Sequence, residues 1–186
     1  MGWIILAIVV IISIAIMSMY NGLVSARVKV DNAWSQIDVQ LQRRFDLIPN
    51  FVETVKGYAA HESETFEKIT KLRTSWASAG TVAEKAELDN QLSGALKTIM
   101  AVSENYPDLK ANQNFSELSE ELRNTENKIS FSRQFYNDSV TMYNQKLQLF
   151  PSNIIAGMFN FQPRELFAVE NAEVRKNVKV DFGKNA

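Results

Sequence analysis

The chain opens on an unbroken apolar run and then settles into a periodic alternation of apolar and polar positions. No charged side chain occurs from Met1 to Ala26, and Trp3 to Met19 is almost entirely Ile, Val, Leu, Ala and Met. Roughly 20 such residues in a helix cross a hydrocarbon core of about 30 Å. The run predicts a membrane-spanning helix built from Trp3, Ile4, Ile5, Leu6, Ile8, Val9, Val10, Ile11, Ile12, Ile14, Ile16, Met17, Met19 and Tyr20. Trp3 and Tyr20 lie near its two ends, where amphipathic rings settle at the membrane interfaces. A cleaved signal peptide is the competing reading, with Val24, Ser25 and Ala26 as small residues at the cut. The run exceeds an ordinary signal core and no Lys or Arg precedes it, which favours an uncleaved anchor over residues 1–26.

Beyond the anchor, Val30, Trp34, Ile37, Leu41, Phe45, Ile48, Val52, Val55, Tyr58, Phe66, Ile69, Leu72 and Trp76 recur at steps of three and four, the stripe of an amphipathic helix. Pro49 interrupts it at a cost of about 3 kcal/mol in a helix interior. Either one long helix bends near Pro49 and Gly57, or a first helix ends near Arg44 and a second starts with Asp46 as cap and Pro49 in its first turn. The absence of a turn-rich linker favours the bend. Gly80 suits a helix end, and Thr81 followed by Glu84 reads as a capping box. The next stripe is Leu88, Leu92, Leu96, Ile99 and Val102, stopping at Tyr106 and a turn at Pro107 and Asp108.

The cleanest repeat follows: Phe115, Leu118, Leu122, Thr125, Ile129, Ser132, Tyr136, Val140, Tyr143, Leu147 and Phe150. Its spacing approaches 3.5, the period of helices packed side by side, and it predicts self-association as well as a bundle. Thr125 and Ser132 thin the seam, which implies a close helix approach or a polar layer. After Pro151, Ser152 is placed to cap a short apolar segment. Ile154, Ile155, Met158, Phe159, Phe161 and Phe167 then form an apolar cluster with little charge, which either caps the core or meets a membrane or a protein partner. Val178, Val180 and Phe182 alternate with charged residues in a tail that reads as extended or disordered. The fold class expected is all-α: a transmembrane helix over 1–26, an antiparallel bundle of three to four long helices over 27–150, and a short appendage over 151–186.

Composition narrows function mainly by exclusion. The 186 residues carry 20 Lys and Arg against 21 Asp and Glu, a balance that argues against nucleic acid as a partner. With no cysteine, disulfides, thiolate metal sites and cysteine nucleophiles are excluded. His61 is the single histidine, so the Glu-x-x-His pairs of di-iron bundles cannot be assembled. Glu117, Glu120, Glu121 and Glu126 read as a solvated acidic face near a helix start. Arg133, Tyr136, Asn137, Tyr143 and Asn144 read as core packing with a hydrogen-bonded flank. No phosphate loop or nucleophile elbow is present, so no enzyme, cofactor or small-molecule substrate is expected; His61 and Glu62 form the only pair worth mutating first for catalysis. Arg27 and Lys29 follow the span, with Arg43 and Arg44 further on. The positive-inside rule then predicts an outside N-terminus and a cytoplasmic body at the cell membrane.

Several motifs together carry a resemblance. Asn21 to Arg27 (N-G-L-V-x-x-R), Asn32 to Trp34 (N-A-W), Ile37 to Arg44 (I-D-V-Q-L-x-R-R), Asp46 to Asn50 (D-L-I-P-N) and Val55 to Glu62 (V-K-G-Y-x-x-H-E) resemble the opening of LemA family proteins. Leu122 to Ile129 (L-R-N-T-E-N-K-I), Phe135 to Asn137 (F-Y-N), Tyr143 with Asn144, and Phe150 with Pro151 continue it. The resemblance implies an N-terminal membrane helix, a helical-bundle body and no established enzymatic activity. Through relatives of the magnetosome membrane it implies scaffolding or membrane shaping, and the 3.5 period with the anchor adds self-association to that expectation. A membrane-tethered adaptor in envelope stress or signalling, binding a partner protein through the Ile154 to Phe167 cluster, is the alternative.

Overall fold

The computed structural model describes residues 1–59 and 63–167. Among them are six helices and no strand. His61, Glu62 and the tail after Phe167, including Val178, Val180 and Phe182, lie outside these residues.

Helix α1, Gly2–Lys56, joins the apolar run to the first half of the body without a break. Pro49 sits inside it. A proline there removes one N–H and crowds the carbonyl four residues back, that of Phe45. The burial of Phe45, Ile48, Phe51 and Val52 around it offsets that cost, since each large apolar side chain taken from water gains about 1.5–3 kcal/mol. The chain instead leaves the helix at Gly57, where Tyr58 and Ala59 both donate to the Val55 carbonyl. The stripe expected to run on to Trp76 is therefore divided between two helices, and a restart at Asp46 is overturned. Glycine weakens a helix by about 1 kcal/mol, and folding back there buries Phe66, Ile69, Leu72 and Trp76 of α2, Ser63–Ser78, in the common core.

Helix α3, Val82–Ser103, starts as expected, with the Thr81 hydroxyl accepting from Glu84 N at 3.1 Å and the Glu84 carboxylate accepting from Thr81 N and Gly80 N. Those bonds hold the Glu84 carboxyl below its usual range. The expected turn at Pro107 and Asp108 is a one-turn helix, α4, Pro107–Lys110, with proline in the position where its missing N–H costs nothing. Asn112 then caps α5, Gln113–Gln148, accepting from Phe115 N.

Helices α1 and α5 run antiparallel and form the axis of the molecule. Phe51 stacks on Phe115 at one level, Trp34 meets Tyr136 at the next, and Lys146 reaches the Gly22 carbonyl at the last. The repeat read on α5 is this seam: Phe115, Leu122, Thr125, Ile129, Tyr136, Val140 and Tyr143 are buried. Phe150 is an exception, because α5 ends at Gln148 and Leu149 is extended, so its ring leaves the seam and stands exposed. The α2–α3 pair packs along the axis, with Trp76 stacked on Phe45 at 4.4 Å. Helix α6, Ser152–Met158, closes the end nearest the apolar run. Ser152 does not cap it; its hydroxyl donates back to the carbonyls of Lys146 and Leu149, ending α5.

Candidate functional site

The first feature is the bare half of α1. From Trp3 to Met17 the large apolar side chains are exposed, and only Met19 and Tyr20 reach the bundle. The segment has the length and apolar character to cross a membrane, and none of its most apolar stretch is buried in the protein. A core helix of a water-soluble domain would be covered. Leu23 and Ala26, at the end of the candidate leader, are core residues, so a cut after Ala26 would strip packing from the bundle.

The second feature is a charge cluster inside the bundle. Arg44 sits on the inner stripe of α1, almost fully buried, with its Nη1 2.7 Å from Asp89, 2.6 Å from Glu126 and 3.0 Å from the Ser93 hydroxyl. Asp89 is 0% exposed and also accepts from Arg133 of α5. Burial, then repulsion from Arg44, lowers the Arg133 guanidinium to about 10, so Arg133 remains cationic at neutral pH. Two cations and two carboxylates thus tie α1, α3 and α5 together. Removing one member would strand a buried charge, which is where such clusters exert their structural effect. On α5, Glu121 and Glu126 pair with Arg43 and Arg44 rather than lying on a free acidic face, while Glu117 and Glu120 are exposed. Beside the cluster lies a cleft of about 700 Å³ between α3 and α5, lined by Arg44, Ser93, Lys97, Ser119, Arg123 and Glu126 among others. Every charge of the cluster is used in pairing. Among the described residues no group of three or more His, Cys, Asp or Glu could hold a metal ion.

Asp89 was invisible as a core residue from its type, but its position was readable. It stands three residues after Ala86 and three before Leu92, on the buried stripe of α3, as Arg44 stands three after Leu41 on α1. A charge on each of two inner stripes is a signal for a buried pair.

The third feature is the apolar cluster after Pro151, which the structure splits. Ile155, Phe161 and Phe167 are buried in the core and cannot belong to an interaction surface; Ile154, Met158 and Phe159 are exposed. After α6 the chain reverses at Asn160, whose φ of 54° is a conformation asparagine tolerates. The segment 161–167 then runs extended along α5, gripped by two Tyr-Asn pairs seven residues apart. Asn137 accepts from Phe167 N and donates to its carbonyl, and Asn144 does the same for Arg164. The Tyr136 and Tyr143 hydroxyls donate to the carbonyls of Glu165 and Gln162. Burial raises both phenols above their usual value, so they remain donors at neutral pH. The hydrogen-bonded flank expected on α5 is this backbone clamp.

Comparison with known proteins agrees with this architecture. The chain is 27% identical over 154 residues to Protein LemA of Metamycoplasma hominis, covering 82% of this chain and 70% of that one. It is 26% identical to magnetosome protein MamQ 2 of Paramagnetospirillum magneticum and 25% identical to magnetosome protein MamQ of Magnetospirillum gryphiswaldense. Those alignments cover 80% of this chain and 64% of each relative, so the chain spans less than two thirds of the magnetosome proteins. Neither name describes an enzyme. The LemA family profile matches residues 33–182, from within the α1 stripe to beyond the clamp, and this membrane-associated helical chain belongs to the LemA family.

Proposed function

We propose that the protein is a membrane-anchored scaffold whose copies associate side by side in the bilayer through the outer face of α5. The observation that carries this reading is a stripe opposite the buried seam. Phe131, Phe135 and Met142 are 76%, 53% and 64% exposed on a helix whose inner face is fully engaged. Large apolar side chains left in line on a solvent face mark an interaction surface more often than chance exposure. Anchoring raises the effective concentration, so weak contacts of this kind suffice to assemble. The inner repeat supports the bundle itself and is spent there. The names of the MamQ relatives are consistent with a role in organising membrane.

Arg27, Lys29, Arg43 and Arg44 favour a cytoplasmic body with the N-terminus outside. Accessibility of one cysteine engineered into the tail tests that orientation. The adaptor reading has less support, because half of the cluster it relied on is core.

The main test is crosslinking in membranes together with the mass of detergent-solubilised protein across a dilution series, for the natural chain and for Phe131→Ser with Phe135→Ser. A crosslinked ladder lost in the double variant supports the scaffold. A strict monomer at every concentration, with no ladder, removes it.

A further inference from the structure

We infer that the corner where α5 gives way to α6 is a second membrane contact, a foot that lies in the headgroup boundary of the leaflet from which α1 emerges. It rests on the anchoring of α1 and is independent of self-association. Depth is the first argument. Tyr20 closes the apolar run, and the Phe159 ring packs on it at 4.8 Å between centroids, so Phe159 shares its level in the bilayer. Lys146 lies beside Gly22, 3.5 Å from its carbonyl, and α5 descends from there towards the membrane. At 1.5 Å per residue, Leu149 and Phe150 reach about 5 Å further, level with the end of the span.

Chemistry is the second argument. Phe150 is 80% and Met158 70% exposed, with Leu149, Ile154 and Phe159 beside them more than half exposed. No Asp, Glu, Lys or Arg occurs from Leu147 to Pro163. Just above this level stand the exposed cations Arg27, Lys29 and Lys146, at the height of lipid phosphates. An apolar tip beneath a basic collar matches an interfacial element that buries its apolar face about 5–10 Å into the headgroup and acyl boundary. Lipid is the occupant because a corner packed against the end of a membrane span is already at the lipid surface. Rigidity is the third argument. Ser152 ties the corner to the end of α5, and Asn144 holds the returning segment at Arg164. A fixed second contact sets the tilt and rotation of the bundle about α1, which a single span leaves free.

The natural chain has no cysteine, so single labels are available. Full-length Phe150→Cys, Met158→Cys, Val9→Cys in the span and Glu117→Cys at the far end of α5 would each carry an environment-sensitive fluorophore. They would be studied in phosphatidylcholine and phosphatidylglycerol vesicles, with aqueous iodide and with lipids spin-labelled near the headgroup as quenchers. The expected result is iodide quenching several-fold weaker at Phe150 and Met158 than at Glu117, with strong quenching by the headgroup label. Iodide access equal to that at Glu117, while Val9 remains shielded, overturns the foot and leaves the anchor standing. Shielding from iodide without lipid quenching means protein covers the corner, which also overturns it. Iodide access at Val9 removes the anchor and the foot together.

Discussion

Both faces of α5 carry large apolar residues, and only one of them is covered. On the inner face Leu122, Ile129, Tyr136 and Tyr143 lock onto α1, while on the outer face Phe131, Phe135 and Met142 stand in the open. The inner face also carries polar groups, with Thr125 buried and Arg133 engaged with Asp89. The difference teaches that spacing announces that a helix packs, but not against what. Thr125 donates to the Glu121 carbonyl and Arg133 pairs with Asp89, so these inner-face groups find their partners within the chain. On the outer face Phe131, Phe135 and Met142 stand exposed among polar residues such as Asn124 and Asp138, without internal partners, as an intermolecular contact would.

If the inner face is what holds the fold, its charged member should be the most sensitive position. Asp89→Ala leaves the Arg133 guanidinium without its carboxylate and Arg44 with Glu126 alone, and is expected to cost about 3–5 kcal/mol, read by thermal or denaturant unfolding in detergent. A loss below about 1 kcal/mol would mean water already solvates the cluster. Ile129→Ala, in the middle of the apolar seam, is expected to lose about 2–5 kcal/mol in the same assay. A smaller effect belongs to the clamp on the α5 flank. Asn137→Ala leaves the N–H and carbonyl of Phe167 without their partner and is expected to cost about 1–3 kcal/mol, visible as faster hydrogen exchange at Phe167. On the outer face, Phe135→Ser should change stability by no more than about 0.5 kcal/mol. It should nonetheless weaken crosslinking between copies. A large loss of stability there would show that the outer face is held within the chain and would erase the contrast.

Much of this architecture was legible because it follows from local rules. The anchor needs only length and an absence of charge. The start of α3 needs only Thr81 and Glu84 at the right separation. The seam of α5 follows from its period. The site was less legible. Arg44, Asp89 and Arg133 lie far apart in the chain, and each alone reads as a surface charge. The Tyr-Asn pairs were visible as residues, yet their role as a backbone clamp depends on where the segment 161–167 returns. Ile154 to Phe167 looked uniform because one-dimensional hydrophobicity cannot tell a residue turned inward, such as Phe161, from one turned outward, such as Met158.

The sequence by itself determined that this chain is helical, that its first residues suit hydrocarbon, and that its long C-terminal helix must pack on one face. These properties depend on backbone hydrogen bonding and side-chain transfer energy summed over neighbours a turn or two away. Only the tertiary structure decided that α1 continues through Pro49 and ends at Gly57, which charges share a buried cluster, and which apolar residues stay outside. Those outcomes weigh local costs of a few kcal/mol against burial supplied by segments distant in sequence, and the balance exists only once the helices have met.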